Sequence, residues 1–238
     1  DGLSVWVGPG VYEITNEITI TNAITVKSTH GAAETLVIRA AEGVNLPQHR
    51  IFIITAAATL DGFTVKNGYL PAVVAPAVSE GGGIYMSAGT VQNCVIATNM
   101  VGASWQSYGG GVYMSGSSKL QFCTVVSNTL TMGYGAGVFG KNSALLISNT
   151  IAHNAGIGAY LNNSPKAYDC VFEHNGGSGV YGYGVTLSNA LVRHNRSGNG
   201  GGLYLMNGNT ILDSVIVSNT ATALGGGIYS AGVYVTLL

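Results

Sequence analysis

Residues 81–99 read GGGIYMSAGTVQNCVIATN, and residues 109–128 read GGGVYMSGSSKLQFCTVVSN. Both open on Gly-x-Gly, an aliphatic residue and an aromatic one. Both close on a small residue, one position, an apolar residue, two positions and Asn. The opening motif begins again at Gly135, Gly156, Gly177, Gly200 and Gly225, at intervals of 21 to 28 residues. The closing motif ends at Asn67, Asn99, Asn128, Asn154, Asn175, Asn195 and Asn219. Two motifs marching in step through most of a chain define a structural repeat.

The unit is built of short strands. Val91, Cys94 and Ile96 alternate with Gln92 and Asn93, and the same pattern returns at Leu120, Cys123 and Val125 and at Ala167, Cys170 and Phe172. Gly, Asn and Ser punctuate these strands, and no amphipathic helical pattern of ten residues occurs anywhere. A propeller blade of four strands needs about 40 residues and a leucine-rich repeat needs dense Leu. A unit of 20–30 residues with two or three strands fits one coil of a parallel β-helix, and the length allows about nine or ten coils. Equivalent residues then stack about 4.8 Å apart.

This stacking turns columns of sequence into ladders. Ile84, Val112, Val138, Ala159, Val180, Leu203 and Ile228 form an inward aliphatic column. Gly62, Cys94, Cys123, Asn149, Cys170, Ala190 and Ser214 line a tighter corner. The closing Asn residues form an asparagine ladder, since a side-chain amide both donates and accepts. Six Tyr and one Phe form an aromatic column. Gly-x-Gly suits a sharp corner with positive φ.

Composition bounds the function. Of 238 residues 47% are hydrophobic, 8% are charged and 36 are Gly; the net charge is −1. Low charge follows from stacking, because like charges on adjacent coils repel. It also excludes intrinsic disorder and a cationic nucleic-acid binder. The longest apolar runs, 51–60 and 69–78, are too short for a membrane-spanning helix. Three Cys without CxxC spacing make neither a disulfide framework nor a zinc site; Cys94 and Cys123, on neighbouring coils, read as a bridging pair or as small core residues. The region 1–67 is less regular, with extended runs at 5–7, 18–26, 36–39 and 51–55. Residues 68–238 carry the regular coils, and the whole chain reads as one β-helix domain. The opening at Asp1-Gly2 and the close at residues 234–238 both fall within strand patterns, which reads as a fragment lacking terminal caps.

The segment DGLSVWVGPGVY at 1–12 resembles the entry segment of pectin-lyase-like right-handed β-helices. The Gly-Gly-Gly-Ile/Val-Tyr and Asn-Cys-x-Ile-x-x-Asn turns resemble repeats of bacterial surface β-helix proteins and, more loosely, of polymorphic outer-membrane proteins. The resemblance implies an all-β right-handed parallel β-helix. It implies little about activity, because this fold carries lyases, hydrolases, epimerases, tailspikes and adhesins alike. The leading expectation is an extracellular or cell-surface rod of bacterial type, a structural or adhesive module binding carbohydrate or a surface protein. The alternatives are a lyase or epimerase of uronate polymers, and a segment of a fibre that associates end to end. The pectate-lyase acidic cluster and the Asp-Asp and Asn-Thr-Asp motifs of polygalacturonases are missing.

Three groups of residues are site candidates. His153, Glu173, His174, Arg193 and His194 fall in adjacent columns on three successive coils. They suit a general base or a metal, or else a solvated polar ladder whose column elsewhere holds Lys66, Thr98, Ser127 and Ser218. Asp169, Asn189 and Asp213 share a column of oxygen ligands suited to calcium, or are ordinary surface polars. Tyr69, Trp105, Tyr108 and Tyr134 lie in the long loops and suit sugar stacking, or pack their loops onto the rod. No cofactor other than calcium is indicated.

Overall fold

The computed structural model describes residues 2–40, 48–71, 78–102, 107–232 and 235–238. These residues contain no α-helix; every strand pairing is parallel. Three sheets run the length of the chain. Sheet one has ten strands, from Ser4–Val7 to Val235–Leu237; sheet two has nine, from Gly10–Ile14 to Val215–Val217; sheet three has nine, from Ile18–Ile20 to Ile228–Ser230. The chain visits sheets one, two and three in turn and then climbs to the next coil. The irregular region joins all three sheets, since Ser4–Val7 pairs with Thr25–Ser28 and Gly10–Ile14 with Thr35–Arg39.

Strand periodicity puts alternate residues inside. Ile84, Val112, Val138, Ala159, Val180 and Leu203 are all fully buried, in register on sheet three; Ile228 is partly buried at the end of the column. Leu60, Val91, Leu120, Leu146, Ala167 and Leu187 do the same on sheet one, and Val65, Ile96, Val125, Ile151, Phe172 and Val192 on sheet two. Cys94, Cys123 and Cys170 are free and buried in the corner between sheets one and two. Burial pushes the Cys170 thiol up to about 11 and Cys123 well above the ordinary range.

The asparagine ladder occupies the turn after sheet two. The Asn128 side-chain oxygen accepts from both the backbone N–H and the side-chain amide of Asn99, each at 3.0 Å. Asn154, Asn175, Asn195 and Asn219 repeat this arrangement for the rung before each of them. The second amide proton of each rung reaches back to a carbonyl of the preceding coil, as Asn128 does to Ile96 and Asn154 to Val125. At Asn128, Asn154, Asn175 and Asn195 every bonding position of the amide is used.

The register corrects three assignments by one residue. Val65 pairs with Ile96, which aligns Asn67 with Thr98 and Gly68 with Asn99. Asn67 therefore stands outside the ladder; the first rung is Asn99, which accepts from the Gly68 N–H at 2.9 Å. Likewise Phe63, not Gly62, shares the Cys94 corner, and Asn67 rather than Lys66 shares the histidine column. The physical reason is a bend residue with left-handed φ just before each corner. Gly62, Asn93, Phe122, Ser148, Asp169, Asn189 and Asp213 bend the chain between sheets one and two, with φ from 46 to 82°. Asn67, Thr98, Ser127, His153, His174, His194 and Ser218 do so after sheet two, with φ from 53 to 62°. Asn suits such a bend as well as it suits a ladder rung, so residue type alone does not separate the two positions.

Candidate functional site

The outward side of sheet three carries the aromatic column. Tyr85, Tyr113, Phe139, Tyr160, Tyr181, Tyr204 and Tyr229 alternate with buried aliphatics and pair in register. Ring centroids from Tyr85 to Tyr204 are 4.5–5.5 Å apart and nearly parallel, with Tyr204–Tyr229 tilted by 55°. The ring faces cover one another. What remains for a ligand is ring edges and phenol oxygens, since side chains stand roughly perpendicular to a sheet, and only at the partly exposed rings, because Tyr113 and Phe139 are buried.

The long loops add a second layer. Ser79–Glu80 pairs with Ser107–Tyr108, and Tyr108 bridges to Tyr134. Their bases form a small sheet of Tyr69–Leu70, Met100–Val101 and Thr129–Leu130, with Leu70 and Val101 buried. Tyr108 leans on Phe139 and Tyr134 on Tyr160, both at 4.7 Å and tilted about 50°. Together with Lys141 and Asn162 these rings line a hollow of 280 Å³. Of the loop aromatics, Tyr108 and Tyr134 thus come together. Tyr69 stands apart in another hollow under the Arg39 guanidinium, 5.8 Å from its ring, and Trp105 lies outside the described residues.

Burial pushes the Tyr160 phenol up to about 12, with smaller contributions from Tyr181, Tyr134 and Tyr108; Tyr181 and Tyr108 move in the same direction for the same first reason. A phenol whose folded pKa exceeds its unfolded value of about 10 holds its proton longer in the folded state. The protein accordingly has its full stability from this source below pH 10 and loses it as pH rises towards 12. An alkaline melting series should show the melting temperature falling across this window. Phe at position 160 should flatten the fall.

The histidines stack rather than converge. His153, His174 and His194 are exposed, with centroids 4.9 Å apart and interplanar angles of 4° and 17°. Imidazole lone pairs lie in the ring plane, so those of parallel rings do not meet at a common metal position. Glu173 and Arg193 sit in register on sheet two and bind each other at 2.7 Å, with Arg193 42% exposed. Such a pair is worth little and leaves no free carboxylate beside the imidazoles. The calcium column also fails to gather. Asn189 donates to Asp169 at 2.7 Å, and Asp213 is a further coil away, which puts the two carboxylates about 10 Å apart along the axis. Among the described residues no three His, Cys, Asp or Glu side chains are grouped to hold a metal ion. Lys141 and Asn162, which sequence reasoning missed, follow the aromatic column by two positions and so share its face.

No curated protein matches this sequence. Among solved structures, the chain is similar to a protein titled Geobacillus virus E2 ORF18, at 13% identity and a TM-score of 0.58, covering 99% of this chain and 52% of that one. It is similar to the pectate lyase Pel9A at 14% identity and a TM-score of 0.58, covering 99% of this chain and 68% of the lyase. The chain spans about half the length of the viral protein. The family described as right handed beta helix region matches residues 80–236. The chain therefore belongs to the right-handed β-helix family.

Proposed function

We propose that this chain is a rod, extracellular or at the cell surface, that binds polysaccharide along sheet three without cleaving it. The observation that carries this reading is the aromatic column with its flanking hollow. Its ring edges and phenol oxygens are open at Tyr160, Tyr181, Tyr204 and Tyr229 on successive coils, whereas Tyr113 and Phe139 are buried beneath the loops, and successive open phenols at the coil spacing suit a polymer of sugar hydroxyls. The candidate acid–base groups support the non-catalytic part: the imidazoles stack, and Glu173 is held by Arg193. Among the described residues no helix is long and apolar enough to cross a membrane.

The test is retention on immobilised pectate, alginate and glycosaminoglycans, with and without calcium, while the solution is followed for the ultraviolet absorbance of unsaturated products. The likeness to a pectate lyase makes pectate the first polymer to try. The expected result is retention on at least one polymer with no rise in absorbance, and loss of retention in a Tyr181→Ser, Tyr204→Ser double variant. Absorbance that vanishes in His174→Ala overturns the reading in favour of a lyase. No retention on any polymer overturns the binding face.

A further inference from the structure

The hollow at Phe139 carries a ligand class that the column by itself does not; this inference rests on sheet three being the binding face and deepens that reading. Phe139 is the one ring of the column without a phenol oxygen. It keeps the stack intact, at 5.5 Å from Tyr113 and 5.4 Å from Tyr160, yet omits a hydroxyl at that rung. The missing hydroxyl lies where Tyr108 and Tyr134 rise beside the column, and a hollow of 280 Å³ opens there with the buried Phe139 ring, 4% exposed, as part of its floor. That volume is at the small end for a ligand pocket and suits one sugar ring.

The charges around it are one-sided. Lys141 stands on the Phe139 strand, paired with Asn162 on the next coil. Its ammonium lies 5.3 Å over the Tyr113 ring, and among the described residues it forms no salt bridge. None of the lining residues is acidic. Glu80 stands outside the lining, beside Tyr108 and Tyr113.

The geometry points to a subsite for a single sugar ring bearing one anionic substituent, seated over Phe139 with its acid on Lys141 and its hydroxyls on Asn162 and the phenols of Tyr108 and Tyr134. A carboxylate and a sulfate ester offer the ammonium the same acceptor chemistry, and the probes separate them.

Tyrosine fluorescence would follow titration with methyl glucuronide and N-acetylglucosamine 6-sulfate, each beside its neutral parent, methyl glucoside and N-acetylglucosamine. At least one acid should bind about tenfold more tightly than its parent, the usual worth of a charge-assisted contact. Which acid does so identifies the substituent. Lys141→Gln should erase that difference by weakening the acid far more than its neutral parent. Phe139→Tyr should weaken every probe by filling the gap; it should fold, because Tyr occupies the same column on six other coils. Equal binding of acids and parents overturns the subsite, as does a Lys141→Gln loss shared equally by neutral sugars or an unaltered Phe139→Tyr. Polymer retention without acid preference overturns the subsite and keeps the rod. Acid preference without retention on any polymer overturns the rod and keeps the subsite.

Discussion

Asn154→Ala should lower the stability of the protein by about 3–5 kcal/mol, an effect on the scale of a large core deletion. The side chain is 1% exposed and sits mid-ladder. Its oxygen accepts from the Asn128 backbone N–H and amide, and its own amide serves Val125 and Asn175. Truncation leaves the Asn128 backbone N–H and one Asn128 amide proton buried without their acceptor, at about 1–3 kcal/mol each, and removes a rung from both neighbours. Thr186→Ala on the outside of sheet one should change stability by no more than about 0.5 kcal/mol. Denaturant midpoints compare the two variants. If they coincide, the ladder does not hold the turn.

Gly158→Ala should cost about 2–3 kcal/mol for the opposite reason, an atom too many. A Cβ at position 158 would lie 2.6 Å from the Asn175 side-chain nitrogen and 2.7 Å from the Gly179 carbonyl oxygen. Both are fixed by the ladder and the sheet, so neither can swing aside. The closing Gly of every Gly-x-Gly but the last, Gly227, is thus the back wall of the asparagine ladder, which explains in one contact why the two sequence motifs keep step. Gly198→Ala is the matched control, because a Cβ there meets nothing within 4 Å. Its midpoint should stay at the wild-type value or rise slightly. Equal losses at 158 and 198 would show that the clash is not the cause, since Gly→Ala by itself lowers the entropy of the unfolded chain and should not destabilise.

Repetition made the fold legible. In a solenoid each column is sampled once per coil, so a burial rule read at Ile84 is tested again at Val112, Val138 and Val180. The same averaging failed at the first regular coil. Asn67 fills a left-handed bend that Thr, Ser or His fills elsewhere, and it imitates the ladder residue one position on. The site was less legible because it depends on departures from the repeat. Phe139 in a tyrosine column, and Lys141 two positions later, look like noise to a periodic reading, and only the position of Tyr108 and Tyr134 over them gives them meaning. The histidines were placed correctly in one column, but ring orientation is a property of packing that spacing does not encode.

The ladder also has a direction. The oxygen that captures each rung's backbone N–H always belongs to the following coil, as Asn154 does for Asn128 and Asn175 for Asn154. A turn is therefore finished only by the turn made after it. On a ribosome, where the N-terminal coils emerge first, the advancing tip of the rod stays open by one lap of 20 to 29 residues. The newest coil is always provisional, and assembly proceeds like knitting, in which each loop is secured by the next.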